Sequence, residues 1–409
     1  MLPEPTLTLT LPSIHDGLTL DCRIYHPLSL SASPRAPAWP RHAAVVAHPY
    51  APMGGSFDDP VVEGVSAQLL RKGFLVGTFN FRGAHGSAGR TSWTSKPERD
   101  DYITFVAFVL HYVHYLDPFR PKSSDDVLLS ELSTPMNPET HHGLDAARPR
   151  PVLLMAGYSY GAMITTLLPP LDAILQPYIS PIAGSDAAEV RLRAAHLAEQ
   201  QNAILASARE HGARGRSKRG VRIGGDEGGS PRRSYEGGKR SFSLDDERFR
   251  RGVHDFLARA RSGRHARDVS QTAPATNMAQ PAPGEHLPRI TNLTMPKPAY
   301  LMISPLQGLV THLATMSLLP SALVKNKDPQ DVAAEEKLVR NASLAIFGDG
   351  DVFVAAGRLR AWTERLKGKM GSQFRGVEVE TAGHFWVEEG VLDRMGDAVG
   401  EFAAELVKG

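Results

Sequence analysis

The sequence holds a single cysteine, Cys22, in 409 residues, so no disulfide can form within the chain and a thiolate metal site is excluded. It also lacks any apolar run near the ~20 residues that a membrane-spanning helix needs. The opening Met1-Leu-Pro-Glu-Pro-Thr6 has neither the basic nor the apolar region of a secretion signal. A soluble, cytoplasmic protein in a reducing compartment is the expectation. Without a secretion signal, the glycosylation patterns at Asn292-Leu-Thr294 and Asn341-Ala-Ser343 carry no weight. No internal repeat is visible. Net charge is small, +2, but uneven: residues 201–270 carry 17 Lys/Arg against 9 Asp/Glu, a local +8 that leaves the remainder at −6.

What is present is a hydrophobic fraction of 42%, with 37 Gly and 31 Pro, enough for a sizeable core and many turns. Residues 6–25 alternate around His15-Asp-Gly17, which predicts a β-hairpin. A short, fully apolar run at 43–47 and mostly apolar runs at 74–79, 151–157, 299–303 and 343–347, with Val377-Glu-Val-Glu-Thr381, read as further strands, most of them buried on both faces. Amphipathic stretches at 60–72, 100–116, 308–318, 355–367 and 388–407 read as helices between them, and 118–150 as a polar, proline-rich surface excursion. The alternation gives an α/β fold: a mostly parallel sheet with helices on both faces and an antiparallel N-terminal hairpin at one edge.

Residues 186–295 break that rhythm. A helix at 186–212, with Leu192, Ala195, Leu197 and Ile204 periodic among charges, and a basic helix at 243–261 flank a Gly/Arg/Ser-rich stretch at 213–240 almost free of aliphatics, and a Pro/Ala/Thr linker follows at 264–296. The chain therefore divides into a first core part (1–185), an inserted, partly disordered and basic cap (186–295), and a second core part (296–409). The aromatics Phe249 and Phe256 lie on an apolar helix face rather than among the basic residues, so no nucleic-acid partner is expected.

The chemistry converges on the carboxyl ends of the strands, where ligands bind in such sheets. Apolar Pro151-Val-Leu-Leu-Met-Ala runs into Gly157-Tyr-Ser159-Tyr-Gly161 and then into a helix. A strand that reverses at once into a helix needs small residues two before and two after the turn, and lifts the turn serine over the helix N-terminus. Ser159 is thus the candidate nucleophile. Of 16 histidines, His384 in Thr381-Ala-Gly-His-Phe-Trp386 directly follows the last strand and is the candidate base. Gly348-Asp349-Gly350-Asp351 follows the preceding strand. Asp351 is preferred over Asp349 as the acid, because Val352-Phe353-Val354 can bury and fix its loop. Ser159 and Asp351 are 192 positions apart, where two β-α units need about 60–70 residues. The excess is close to the length of the inserted segment.

These features together resemble the α/β-hydrolases, whose triad runs Ser, Asp, His along the chain. The resemblance is to small serine hydrolases that carry His48-Pro49…Gly54-Gly55 and Phe79-Asn80-Phe81-Arg82-Gly83…Gly86-Ser87-Ala88-Gly89. It covers roughly 15–120, 150–180 and 297–407, and departs at 186–295 and at Tyr50, where a second histidine is common. It implies Ser159, Asp351 and His384 as the triad and the backbone amides of Tyr50 and Tyr160 as the oxyanion hole. It implies two-step acyl transfer on a small-molecule acyl substrate, with no metal and no cofactor. Ester cleavage is the expectation; a peptidase or acyltransferase with the same triad, and a non-catalytic binding module, are the alternatives. Tyr50, Phe57, Phe385 and Trp386 near the site suggest an apolar acyl pocket, with plain packing as the commoner role of aromatics near a sheet edge.

Overall fold

Eight strands form one sheet in the order β1-β2-β4-β3-β5-β6-β7-β8 in the computed structural model, which describes residues 2–33, 35–119, 150–217, 285–307 and 329–408. The strands are β1 (Leu7–Pro12), β2 (Thr19–Tyr25), β3 (Ala43–Ala47), β4 (Leu75–Phe79), β5 (Val152–Tyr158), β6 (Lys297–Ile303), β7 (Ser343–Gly350) and β8 (Phe374–Gly383). Only β2 runs against the others: it pairs antiparallel with β1 and with β4, and every later pairing is parallel. The helices are α1 (Pro60–Arg71), α2 (Lys96–Tyr115), α3 (Tyr160–Leu167), α4 (Leu171–Leu175), α5 (Asp186–Ser217), α6 (Pro329–Arg340), α7 (Ala356–Lys367) and α8 (Val391–Lys408). This is the α/β-hydrolase fold. The helices at α4 and α6 were not expected from the sequence. The stretches 243–261 and 308–318, expected as helices, lie outside the described residues, as do the 218–240 part of the Gly/Arg-rich stretch and most of 118–150.

The apolar strands are buried on both faces because side chains alternate across the sheet. Val45, Leu153 and Met155 join one core with Phe105, Phe108 and Tyr112 of α2. Their neighbours Ala44, Val46, Leu154 and Ala156 join the opposite core with Val61, Val65 and Leu69 of α1 and Met395, Val399 and Phe402 of α8. Helix α1 begins where Asp59 accepts from the Val61 and Val62 amides, with Pro60 at its first position. Helix α3 is held at its far end by Lys337 of α6, whose buried Nζ donates to the carbonyls of Thr165 (2.9 Å), Thr166 (3.0 Å) and Leu168. Three carbonyl acceptors match the three N–H bonds of an ammonium, and a cation at a helix C-terminus complements its dipole.

The start of the 186–295 segment is bound into the core. Ala187, Val190, Ala194, Leu197 and Ala198 of α5 are buried against the α2 side of the sheet. Arg191, nearly fully buried, donates to the Tyr178 carbonyl (3.3 Å), the Ile179 carbonyl (3.0 Å) and the Pro288 carbonyl. Further along, Asn202 exchanges hydrogen bonds with the Tyr115 carbonyl and the Asp117 amide, both at 2.8 Å. The chain returns at 285–288 beside 180–183, where the Ala183 amide donates to the Glu285 carbonyl (2.7 Å) and the Leu287 amide to the Pro181 carbonyl (2.8 Å). Core membership predicts that Leu197→Ala destabilises the protein by about 2–5 kcal/mol. Urea unfolding with an unchanged slope would read this as a shifted midpoint. A loss below about 1 kcal/mol, as at a surface site, would contradict it.

Candidate active site

The turn at Ser159 is strained as the motif demands. Its φ of 53° and ψ of −110° lie where a non-glycine residue rarely sits, and such a cost persists only where the surroundings impose it. Two hydrogen bonds impose it: the Ser159 amide donates to the Ile303 carbonyl of β6 (2.8 Å), and its carbonyl accepts from Met163 (3.0 Å) to start α3. The flanking glycines are required by close approach. A Cβ on Gly157 would sit 2.3 Å from the Gly161 carbonyl, and one on Gly161 would sit 2.5 Å from the Ala47 carbonyl oxygen. Any side chain at either position would push α3 off the sheet.

The candidate acid and the candidate base are brought together by a second close approach. Strands β7 and β8 run so near one another that a Cβ on Gly348 would lie 1.9 Å from the Ala382 carbonyl oxygen, and a register irregularity follows between Gly348 and Gly350. Beyond it, Asp351 Oδ1 accepts from the amides of Phe353 (2.8 Å) and Val354 (3.0 Å), which fixes the carboxylate. Its Oδ2 meets His384 Nδ1 at 2.7 Å, and His384 Nε2 meets Ser159 Oγ at 2.8 Å. A carboxylate facing Nδ1 places the proton there and leaves Nε2 to accept the serine hydroxyl proton. All three residues are nearly buried, while Asp349 is exposed on the end of β7. The structure thus brings Asp351, and not Asp349, to the imidazole of His384. The Phe353 ring stands edge-on to His384 with centroids 4.6 Å apart.

The loop after β3 carries Tyr50. His48 is fully buried, with Nδ1 donating to the Pro49 carbonyl (2.6 Å) and Nε2 accepting from the Phe81 amide (2.9 Å). Acceptance at Nε2 needs the neutral ring, and burial lowers the His48 pKa to about 4. Gly54 is left-handed, and a Cβ on Gly55 would strike the Pro49 carbonyl oxygen at 2.4 Å, so the loop can fold back on itself only with glycine there. The Tyr50 and Tyr160 rings lie 5.2 Å apart, which places the two residues side by side at the elbow. Tyr160 opens α3, so its amide is one of those a helix N-terminus leaves unsatisfied within the helix. The Asn-Phe-Arg-Gly stretch works as a brace. Asn80 Oδ1 accepts from the Phe57 amide (2.9 Å), and Arg82 binds Asp101 of α2 through Nε (2.9 Å) and Nη2 (2.7 Å) while Nη1 reaches Asp16 of the hairpin turn (2.9 Å).

Two of the four expected pocket aromatics are elsewhere. Phe57 is buried under the Arg23 guanidinium, 3.6 Å from its ring centre, and Trp386 is buried in the core that α1 and α8 cover. Phe385 is 51% exposed beside His384, with centroids 5.6 Å apart, and Val352 is 75% exposed next to Asp351. Sequence reasoning also missed two contacts on the histidine loop: Tyr158 Oη donates to the His384 carbonyl (2.8 Å), and Trp386 Nε1 donates to Ser304 Oγ (3.1 Å). Among the described residues no three His, Cys, Asp or Glu side chains cluster so as to hold a metal ion. None of the helices there is long and apolar enough to cross a membrane.

No known family and no curated protein matches the chain by sequence. Solved structures match it in shape. An α/β serine hydrolase without a lid from Xanthomonas campestris is 16% identical, with 100% of this chain and 98% of that one covered and a TM-score of 0.43. An α/β serine hydrolase homologue from Coxiella burnetii is 11% identical over 98% and 99%, at 0.41. An esterase from Pyrococcus furiosus is 12% identical over 98% and 89%, at 0.40. The fold assignment rests on the strand order and the strained serine elbow of this chain, and the site on its own distances.

The buried neutral His48 predicts acid lability. Its folded pKa of about 4 lies below the ordinary value of 6.5, so the unfolded chain binds more protons between those limits. Its contribution is complete above about pH 6.5 and is lost as pH falls toward 4, at about 1.4 kcal/mol per pH unit. His26 and His111, also lowered to about 4 by burial, add to the same slope. Urea midpoints measured from pH 7 to pH 4 should fall steeply, and less steeply in His48→Gln. Parallel curves for the two proteins would contradict the neutral-ring account.

Proposed function

We propose that this protein is a serine hydrolase that cleaves carboxylic esters of small-molecule substrates through an acyl-enzyme intermediate. The observation that carries the reading is the unbroken relay from Ser159 Oγ through His384 to Asp351, with both links under 3 Å. Ser159 Oγ attacks the carbonyl carbon as its proton passes to His384 Nε2, and Asp351 holds the imidazole tautomer and stabilises its charge. The oxygen that becomes negative takes hydrogen bonds from the Tyr50 and Tyr160 amides. Each such donor is worth about 3–4 kcal/mol in a dry site. The bond to the leaving alkoxide breaks as His384 returns its proton, giving the acyl-serine. Water then attacks, with His384 again taking the proton, and the carboxylic acid and free Ser159 result. The exposed faces of Phe385 and Val352 beside the histidine support an apolar portion in the substrate. A cytoplasmic location remains part of this reading.

Turnover of short-chain nitrophenyl esters should fall on the order of 10⁶-fold in Ser159→Ala, at an almost unchanged melting temperature. Asp351→Asn should cost about 10⁴-fold. Asp349→Asn should remain near wild type. Equal losses in the two aspartate variants would contradict the assignment of the acid, and an active Ser159→Ala would contradict the mechanism.

A further inference from the structure

The histidine loop is tied to the floor of the site by two bonds that the relay itself does not need. His384 lies between Gly383, at the end of β8, and Phe385. Tyr158 Oη donates to the His384 carbonyl at 2.8 Å. Burial raises the pKa of this phenol, so it remains a protonated donor at ordinary pH. Two residues along, Trp386 Nε1 donates to Ser304 Oγ at 3.1 Å. Both anchor points touch the nucleophile's own frame. Tyr158 is the residue immediately before Ser159, and Ser304 follows Ile303, whose carbonyl accepts the Ser159 amide.

The backbone bears strain at the same places. Ser159 (φ 53°), Ser304 (φ 44°) and Trp386 (φ 56°) all occupy the left-handed region. For a side chain as bulky as tryptophan that is a real outlier, costing about 1–3 kcal/mol unless imposed by its surroundings. Two of these strained residues are joined to each other by the indole bond, and the third is the nucleophile. Trp386 and Ser304 are both nearly or wholly buried, so their bond is not exchanged for water.

We propose that Tyr158, Ser304 and Trp386 form a clasp that fixes His384 at hydrogen-bonding distance from Ser159, making them positioning residues for the proton transfer. The inference rests on the serine hydrolase reading above. Tyr158 sets the height of the histidine backbone. The Trp386–Ser304 bond sets the exit of the loop, so that the imidazole can meet Asp351 and Ser159 at once.

The test uses four variants of the full chain: Tyr158→Phe and Trp386→Phe, which keep a ring, and Ser304→Ala and Ser304→Gly. Steady-state turnover of a nitrophenyl ester is measured with melting temperature. A misplaced catalytic group costs up to the order of 100-fold. The clasp therefore predicts that kcat falls roughly ten- to a hundredfold in Tyr158→Phe and Ser304→Ala, with KM almost unchanged. Ser304→Gly separates position from stability: glycine relieves the left-handed backbone but offers no acceptor, so kcat should drop even if the protein melts no lower. The double variant Tyr158→Phe/Ser304→Ala should lose less than the product of the single losses, because both bonds hold one loop. Variants with wild-type kcat, beside an inactive Ser159→Ala, overturn the clasp alone. Losses that follow melting temperature, with Ser304→Gly fully active, overturn it as well. Turnover that survives Ser159→Ala overturns the reading beneath it.

Discussion

The site depends on how closely the backbone elements approach at the carboxyl ends of the central strands. At Gly157, Gly161 and Ala47 strand β5, helix α3 and β3 come so near that a single added methyl group would collide with a carbonyl. That contact forces the reversal at Ser159, whose left-handed backbone lifts the hydroxyl above the sheet. The same kind of approach at Gly348 and Ala382 sets the Asp351 loop against the His384 loop. Packing without side chains at these points is what lets three residues 33 to 225 positions apart meet within hydrogen-bonding distance. The strain is offset elsewhere, by two apolar cores and by braces such as Arg82–Asp101 and Lys337 under α3.

Ser159, Asp351 and His384 were legible as candidates because each directly follows a strand pattern, and topology gathers such positions at one edge. Glycine marked the close approaches, since no other residue fits them. Asp351 was separable from Asp349 through its neighbours: the Phe353 and Val354 amides grip its carboxylate, although Val352 turned out exposed. Aromatic type alone was a poor guide. Phe57 and Phe385 look alike in sequence, but Arg23 covers the first and nothing comparable was foreseeable for the second. Tyr158, Ser304 and Trp386 left no signal, because a bond between loops and a left-handed φ at a serine or a tryptophan have no residue signature.

Helix α5 joins the 186–295 segment to the core. Its buried stripe is made largely of small residues, Ala187, Val190, Ala194, Ala195 and Ala198 with Leu197. Small side chains allow α5 to lie close against α2. Arg191 is buried because backbone carbonyls of 178, 179 and 288 take its guanidinium, a pairing that composition does not disclose. The chain's return at 285–288 beside 180–183 then places β6 next to β5 as if little had intervened.

The central claim is that Ser159 is a nucleophile activated by the folded relay. Intact-mass spectrometry after exposure to a fluorophosphonate tests it most directly, because covalent capture needs both the serine and its base in place. The account predicts one adduct per chain, mapped to the peptide that carries Ser159, formed by folded protein and absent after unfolding in urea. An adduct on another residue, or none on the folded protein, would contradict it.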